Sequence, residues 1–126
     1  MPLVRIALRA GKPPEHIRAI SDGIYAAMRE TFAVPEDDRF MLVSQHRDEE
    51  FVYDGGYLGI ERSDDLVIVQ ITCNNTRTLE QKKAFYADVA RRLAASPGLR
   101  PEDVFISLVE VPKENWSFGN GIAQYA

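Results

Sequence analysis

LVIVQITC, residues 66–73, running on into NNTRTLEQ, residues 74–81, decides the fold. Five of the first eight side chains are β-branched, and the run is too short for a helix, so it reads as a strand. Thr78 with Gln81 three residues later is a capping box, the signature of a helix start. Phe85, Tyr86, Val89, Ala90 and Leu93 then recur at spacings of three and four, giving that helix one buried stripe. Pro97-Gly98 stops it, and residues 104–111 (VFISLVEV) form the next strand. The unit is β-α-β.

The same order stands upstream. Residues 2–8 (PLVRIAL) have strand character, Gly11-Lys12-Pro13-Pro14 breaks the run, and Pro14 suits a first helical turn. Ile17, Ile20, Ile24, Ala27, Met28 and Thr31 or Phe32 mark an amphipathic helix of about five turns. Residues 34–38 (VPEDD) end it, and residues 39–45 (RFMLVSQ) form its return strand. Pro35-Glu36-Asp37 and Pro101-Glu102-Asp103 stand at matching places before the two return strands. The expected fold class is therefore α/β (α+β): duplicated β-α-β units, about 2–47 and 66–111, with parallel strands inside each. Together they form a four-stranded sheet with two helices on one face. Residues 48–65, with Gly55-Gly56, are expected to form a loop or small hairpin, and residues 116–126 an aromatic, glycine-rich tail.

A chain of 126 residues has room for one core, so one domain is expected across 1–126. Its 45% hydrophobic and 27% charged content argues against disorder. Fifteen basic against nineteen acidic side chains, net −4, lack the footprint of a nucleic-acid binder. No apolar run reaches the roughly 18 residues of a membrane span. Residues 1–5 (MPLVR) do not open a secretory signal, so a cytoplasmic protein is expected. Cys73 stands alone, which excludes a disulfide framework and a cysteine metal cluster. The sequon Asn74-Asn75-Thr76 is idle without secretion. Leu66, Val67, Ile68, Val69 and Ile71 read as a strand apolar on both pleat faces, while both helices cover only one. The bare face would be a large apolar patch, so an obligate oligomer with sheets packed face to face is expected.

Four places carry candidate chemistry. If Met1 is removed, Pro2 begins the chain with a secondary amine on a rigid ring, whose ordinary pKa of about 8 permits base, acid or nucleophile roles. Otherwise Pro2 merely follows the start. Arg77 beside the free amides of a helix N-terminus suits a carboxylate, or is simply solvated. Asp38 at the mouth of a strand is a charge partner or proton carrier, or a local cap. Trp116-Ser117-Phe118-Gly119-Asn120-Gly121 suits a hydrophobic site wall or a subunit contact. His16, read on the solvent side of its helix, and His46, at a strand end, have no partner at ligand spacing, so no metal site is expected. Ser44 and Ser107 lack a nucleophile elbow, and no glycine-rich phosphate loop is present.

Together these pieces resemble the tautomerase superfamily, and within it the malonate semialdehyde decarboxylase family. The resemblance spans nearly the whole chain, through residues 1–4 (MPLV), 34–40 (VPEDDRF), 44–47 (SQHR), 76–82 (TRTLEQK) and 116–119 (WSFG). It implies a tautomerase-like homotrimer with sites at subunit boundaries and neither metal nor organic cofactor. The family's catalytic proline falls on Pro2, its aspartate on Asp38 and its pre-helix arginine on Arg77, with Trp116 and Phe118 on an aromatic wall. Typical members carry a second arginine where this chain has Asn75, which bears on carboxylate binding. The expected activity is keto–enol tautomerisation of small 2-oxo carboxylates by a neutral Pro2 amine. The alternative is decarboxylation of malonate semialdehyde or a related 3-oxo acid by a protonated one. A further alternative is a non-catalytic binding protein with a vestigial proline pocket. Burial and Arg77 disfavour the ammonium and Asp38 favours it, so their balance selects the reaction.

Overall fold

The computed structural model describes all residues, 1–126. The elements are β1 (Leu3–Arg9), α1 (Pro14–Phe32), β2 (Phe40–His46), β3 (Val67–Asn74), α2 (Leu79–Ala95) and β4 (Val104–Val111). Each strand expected from the sequence is present, three of them displaced by one residue at their ends. β1 pairs with β2 in parallel and β3 with β4 in parallel, while β1 and β3 run antiparallel at the centre. The order is β2-β1-β3-β4. Each parallel pair needs a crossover, and the helices supply it.

Both helices lie on one face, as the duplicated units require. Val4, Ile6 and Leu8 of β1 and Val67, Val69, Ile71 and Cys73 of β3 alternate inward, as the period of two dictates. They bury against Ile20, Ile24, Met28 and Phe32 of α1 and Phe85, Val89 and Leu93 of α2. Burying a side chain of this size contributes about 1.5–3 kcal/mol. The helices meet at Gly23, where a Cβ would come within 2.8 Å of Leu93 Cδ2. A larger residue there would force the Leu93 side chain to shift.

The helix ends follow from their sequences. Thr78 Oγ1 accepts from the Gln81 amide at 3.1 Å, and Gln81 Oε1 accepts from the Thr78 amide at 2.9 Å. α1 starts instead at Pro13-Pro14 without a side-chain cap and ends at Ala33, in left-handed conformation with φ 54°.

Residues 48–65 form the loop rather than the hairpin of the two forms expected, holding only the 3-10 turns Asp48–Glu50 and Tyr57–Gly59. The structure departs from the sequence expectations in two places. His16 is half-buried, with Nε2 shielded and unpartnered. Burial, with Lys12 adding to it, pushes its pKa down. The outward row of β3 is Ile68, Gln70 and Thr72, so this strand is not apolar on both faces. Cross-strand register instead builds stripes on the open face. Leu42, Arg5, Gln70 and Ser107 form a mostly polar row. It runs between Phe40, Leu3, Thr72 and Val109 on one side and Ser44, Ala7, Ile68 and Phe105 on the other. Phe40, Leu42, Phe105 and Val109 are exposed there. No helix is long and apolar enough to cross a membrane.

Candidate active site

The topology determines which residues can meet. Because β1 is parallel to β2 and antiparallel to β3, Leu3 stands opposite both Phe40 and Thr72. The residues just before β1, just before β2 and at the close of β3 therefore share one end of the sheet. α1 finishes at that end and α2 begins there. This arrangement brings Pro2, Asp38 and Arg77, separated by dozens of residues in the chain, to the same end of the sheet.

Pro2 is buried at the start of β1. The chain's amino group, on Met1, lies 3.6 Å from Asp38 Oδ2. The Asp38 side chain is 14% exposed, and its Oδ1 is shielded from solvent with no hydrogen-bond partner. A buried carboxylate oxygen left unpaired costs stability, and native structures rarely tolerate one without a role for it.

Arg77 is half-buried in the turn between β3 and α2. Its Nη2 donates to the Phe32 carbonyl at 3.4 Å, at the C-terminus of α1, where the helix dipole favours a cation. The guanidinium carbon sits 5.1 Å from the Phe32 ring centroid, and Phe32 stacks on Phe85 at 4.6 Å. Arg77 is thus held by a carbonyl and an aromatic face rather than by a carboxylate, which leaves donors for an anion.

Cys73, between these groups on β3, is buried, and burial pushes its thiol pKa up, with the positive charges of Arg77 and the chain amine acting in the opposite direction. On its far side, opposite Cys73 in the β3–β4 register, Glu110 accepts a hydrogen bond from Lys82 at 2.7 Å. The sequence-derived candidates include none of these three. Asn74 is a fourth addition. It is 6% exposed, and its Oδ1 accepts from Trp116 Nε1 at 2.8 Å. No signal in the sequence marks it, because its partner lies 42 residues away.

Trp116 stacks on Phe118 with centroids 5.4 Å apart and planes at 21°. Asn75 is exposed in the turn and is fixed by its backbone, whose N–H donates to the Val111 carbonyl at 3.2 Å. A surface hollow of about 560 Å³ lies elsewhere. It runs between the outward sides of α1 and α2 and is lined by Arg18, Asp22, Arg91 and Arg92. No group of three or more His, Cys, Asp or Glu side chains is placed to hold a metal ion.

This arrangement offers a buried chain start, a carboxylate with a spare oxygen, an unpaired guanidinium and an aromatic pair at one sheet end. Comparison with known proteins finds relatives in sequence and in fold. Two family models, each described as tautomerase enzyme, match residues 38–119 and residues 2–60. The Bacillus subtilis (strain 168) protein named "Probable tautomerase YusQ" is 45% identical, covering 98% of both chains. A crystal structure of malonate semialdehyde decarboxylase superposes with a TM-score of 0.91 at 36% identity, covering 98% of this chain and 95% of that one. A fused 4-OT wild-type symmetric trimer, 19% identical, shares the fold with a TM-score of 0.79, covering 98% of this chain and 97% of that one.

Proposed function

We propose, from the premise that this chain belongs to the tautomerase enzyme family and is malonate semialdehyde decarboxylase-like within it, that it catalyses keto–enol tautomerisation of small 2-oxo carboxylates through the amine of Pro2. Removal of Met1 makes Pro2 nitrogen a secondary amine at the mouth shared by Asp38 and Arg77. Arg77 binds the substrate carboxylate with the donors it does not spend on Phe32, and Asn75 stands beside that position. Trp116 and Phe118 form the apolar wall. The neutral amine takes the enol hydroxyl proton, and the resulting ammonium returns it to the adjacent carbon. Arg77 stabilises negative charge as it develops.

The observation that carries this reading is the Asp38 carboxylate, buried 3.6 Å from the chain amine with its second oxygen unpartnered. A carboxylate so placed offers a counter-charge to whatever amine stands there. The same observation favours a second reaction. If Asp38 holds the amine as an ammonium, the cation polarises the carbonyl of a 3-oxo acid such as malonate semialdehyde. The carbon–carbon bond to the carboxylate then breaks, carbon dioxide leaves, and the electron pair passes to an enolate that is protonated at carbon. The likeness to malonate semialdehyde decarboxylase supports that alternative. The chain is read as a single domain that assembles as a homotrimer, in keeping with the trimeric fold relative, and the open sheet face with exposed Phe40, Leu42, Phe105 and Val109 is the surface for that contact.

The test uses protein that begins at Pro2. Pro2→Ala is expected to slow ketonisation of phenylpyruvate enol by at least about 100-fold while the oligomer stays intact. Undiminished turnover defeats the proposal. Titration of the Pro2 amine by nitrogen NMR then separates the two reactions. A pKa below about 7 marks the base of a tautomerase, and one above about 8.5 marks the acid of a decarboxylase.

A further inference from the structure

Residues 116–126 form an aromatic group with few ties to the rest of the chain. Trp116 stacks on Phe118, and Phe118 meets Tyr125 edge to face with centroids 4.8 Å apart. Between them the chain reverses through Gly119, Asn120 and Gly121, all with positive φ (139°, 60° and 70°). Two glycines in three such residues make the reversal cheap. The Gln124 side chain closes it. Its Oε1 accepts from the Phe118 amide at 2.9 Å, and its Nε2 donates to the Gly119 carbonyl at 2.8 Å. One amide side chain thus copies a strand partner and locks Phe118 against Tyr125.

A single side-chain hydrogen bond ties this group to the sheet, from Trp116 Nε1 to Asn74 Oδ1. Asn74 is the buried residue between Cys73 and Asn75, so the tie ends in the segment that also carries Arg77. A buried amide is tolerated when its hydrogen bonds are made, and a buried indole N–H needs an acceptor. Each supplies the other's need.

We propose that Asn74 and Gln124 are positioning residues, two amide clamps that hold Trp116, Phe118 and Tyr125 as one rigid wall for the apolar part of the substrate. The proposal rests on the tautomerase reading for its substrate side alone. The clamps act on binding, because the wall meets the substrate skeleton before and during proton transfer alike. Loss of a clamp therefore raises KM and spares kcat.

Trp116 is the one tryptophan of the chain, so its indole N–H gives a single proton–nitrogen NMR resonance that reads the Asn74 bond directly. In protein beginning at Pro2, Asn74→Leu is expected to move that resonance upfield and to raise KM for phenylpyruvate enol about tenfold, with kcat within about twofold. Asn74→Asp keeps an acceptor oxygen, so it is expected to hold the resonance and return KM to within about threefold of wild type. Three results overturn the proposal: an indole resonance unmoved in Asn74→Leu, a moved resonance with unchanged KM, or an Asp variant as impaired as the Leu variant. Should Asn74→Leu fail to fold, Gln124→Ala on the exposed tail decides. It is expected to raise KM about threefold, and an unchanged KM there overturns the proposal. Full turnover by Pro2→Ala alongside the stated Asn74 behaviour would sink the proton agent and leave the wall standing.

Discussion

Each end of the sheet buries one aspartate just ahead of a return strand, and the two are treated in opposite ways. Asp103, before β4, is 1% exposed and saturated. It accepts from the Ser63 amide at 2.7 Å, the Ser63 hydroxyl at 2.6 Å and Arg100 Nε at 3.3 Å. Asp38, before β2, faces an amine at 3.6 Å with one oxygen and nothing with the other. The chain writes Pro-Glu-Asp ahead of each return strand, at residues 35–37 and 101–103, so Asp103 matches Asp37 in the repeat and Asp38 is the residue that follows it. The chain completes the network at one end and leaves it open at the other. A completed network anchors a loop, here residues 48–65. An open one keeps a charge available for chemistry.

The sharpest way to break this contrast is to neutralise each carboxylate in turn. Asp103→Ala is expected to cost about 3 kcal/mol of stability, because the Ser63 amide and hydroxyl lose their acceptor in a buried place. Turnover per folded molecule should survive. Asp38→Asn is expected to leave stability within about 0.5 kcal/mol of wild type, since it removes a charge that is poorly compensated. Turnover should fall by at least about tenfold. Chemical denaturation with an activity assay on the same samples checks both. Equal losses of stability would make the two aspartates structurally alike and end the comparison.

Acid sharpens it further. Burial alone would raise the Asp103 pKa, but the hydrogen bonds from Ser63 and Arg100 outweigh burial and hold it below the ordinary carboxylate value. A depressed folded-state pKa means stabilisation that is complete above the unfolded value of about 3.9 and lost as pH falls through the folded one. The stability gap between wild type and Asp103→Asn is therefore expected to be full at pH 6 and to shrink steadily below about pH 4. Asp88, held low by Arg92 and Arg91 against its own burial, leaves an acid slope in both proteins. Only the difference between them isolates Asp103. A gap unchanged down to pH 3 would mean that Asp103 contributes packing rather than charge.

Much of this was legible in the chain because the relevant signals are local. Strand runs, helical stripes, the Thr78–Gln81 box and the repeated Pro-Glu-Asp turns each lie within one element, and together they yield the order β-α-β twice. Pro2, Asp38 and Arg77 became candidates through motif and resemblance, and the antiparallel join of β1 and β3 is what brings them to one end. What stayed hidden depends on partners far away in sequence. Nothing near Asp103 announces Ser63, 40 residues distant, and nothing near Asn74 announces Trp116, 42 residues distant. The open face escaped for a related reason. A single strand reveals its own alternation, but the polar row through Arg5 and Gln70 exists only once four strands are in register. His16 escaped because its shielding comes from tertiary packing that the helix pattern does not contain.

The smallest expected effect concerns how the two helices begin. α2 starts at the candidate site with the reciprocal Thr78–Gln81 cap, whereas α1 starts at the other end behind Pro13 and Pro14 with no side-chain cap. Thr78→Ala is expected to cost about 1 kcal/mol, seen as a fall in melting temperature of about 4 °C. The first turn of α2 then frays, and Arg77, one residue before the cap, loses its fixed approach to Phe32. KM for an oxo-carboxylate should rise about threefold, consistent with a carboxylate contact weakened rather than removed. Pro14→Ala, at the first helical position of α1, is expected to cost less than about 1 kcal/mol through unfolded-state entropy alone and to leave KM unchanged. If Pro14→Ala moved KM as far as Thr78→Ala, the two helix starts would be serving the site equally. The division between an anchoring end and a reacting end would then not extend to the helices.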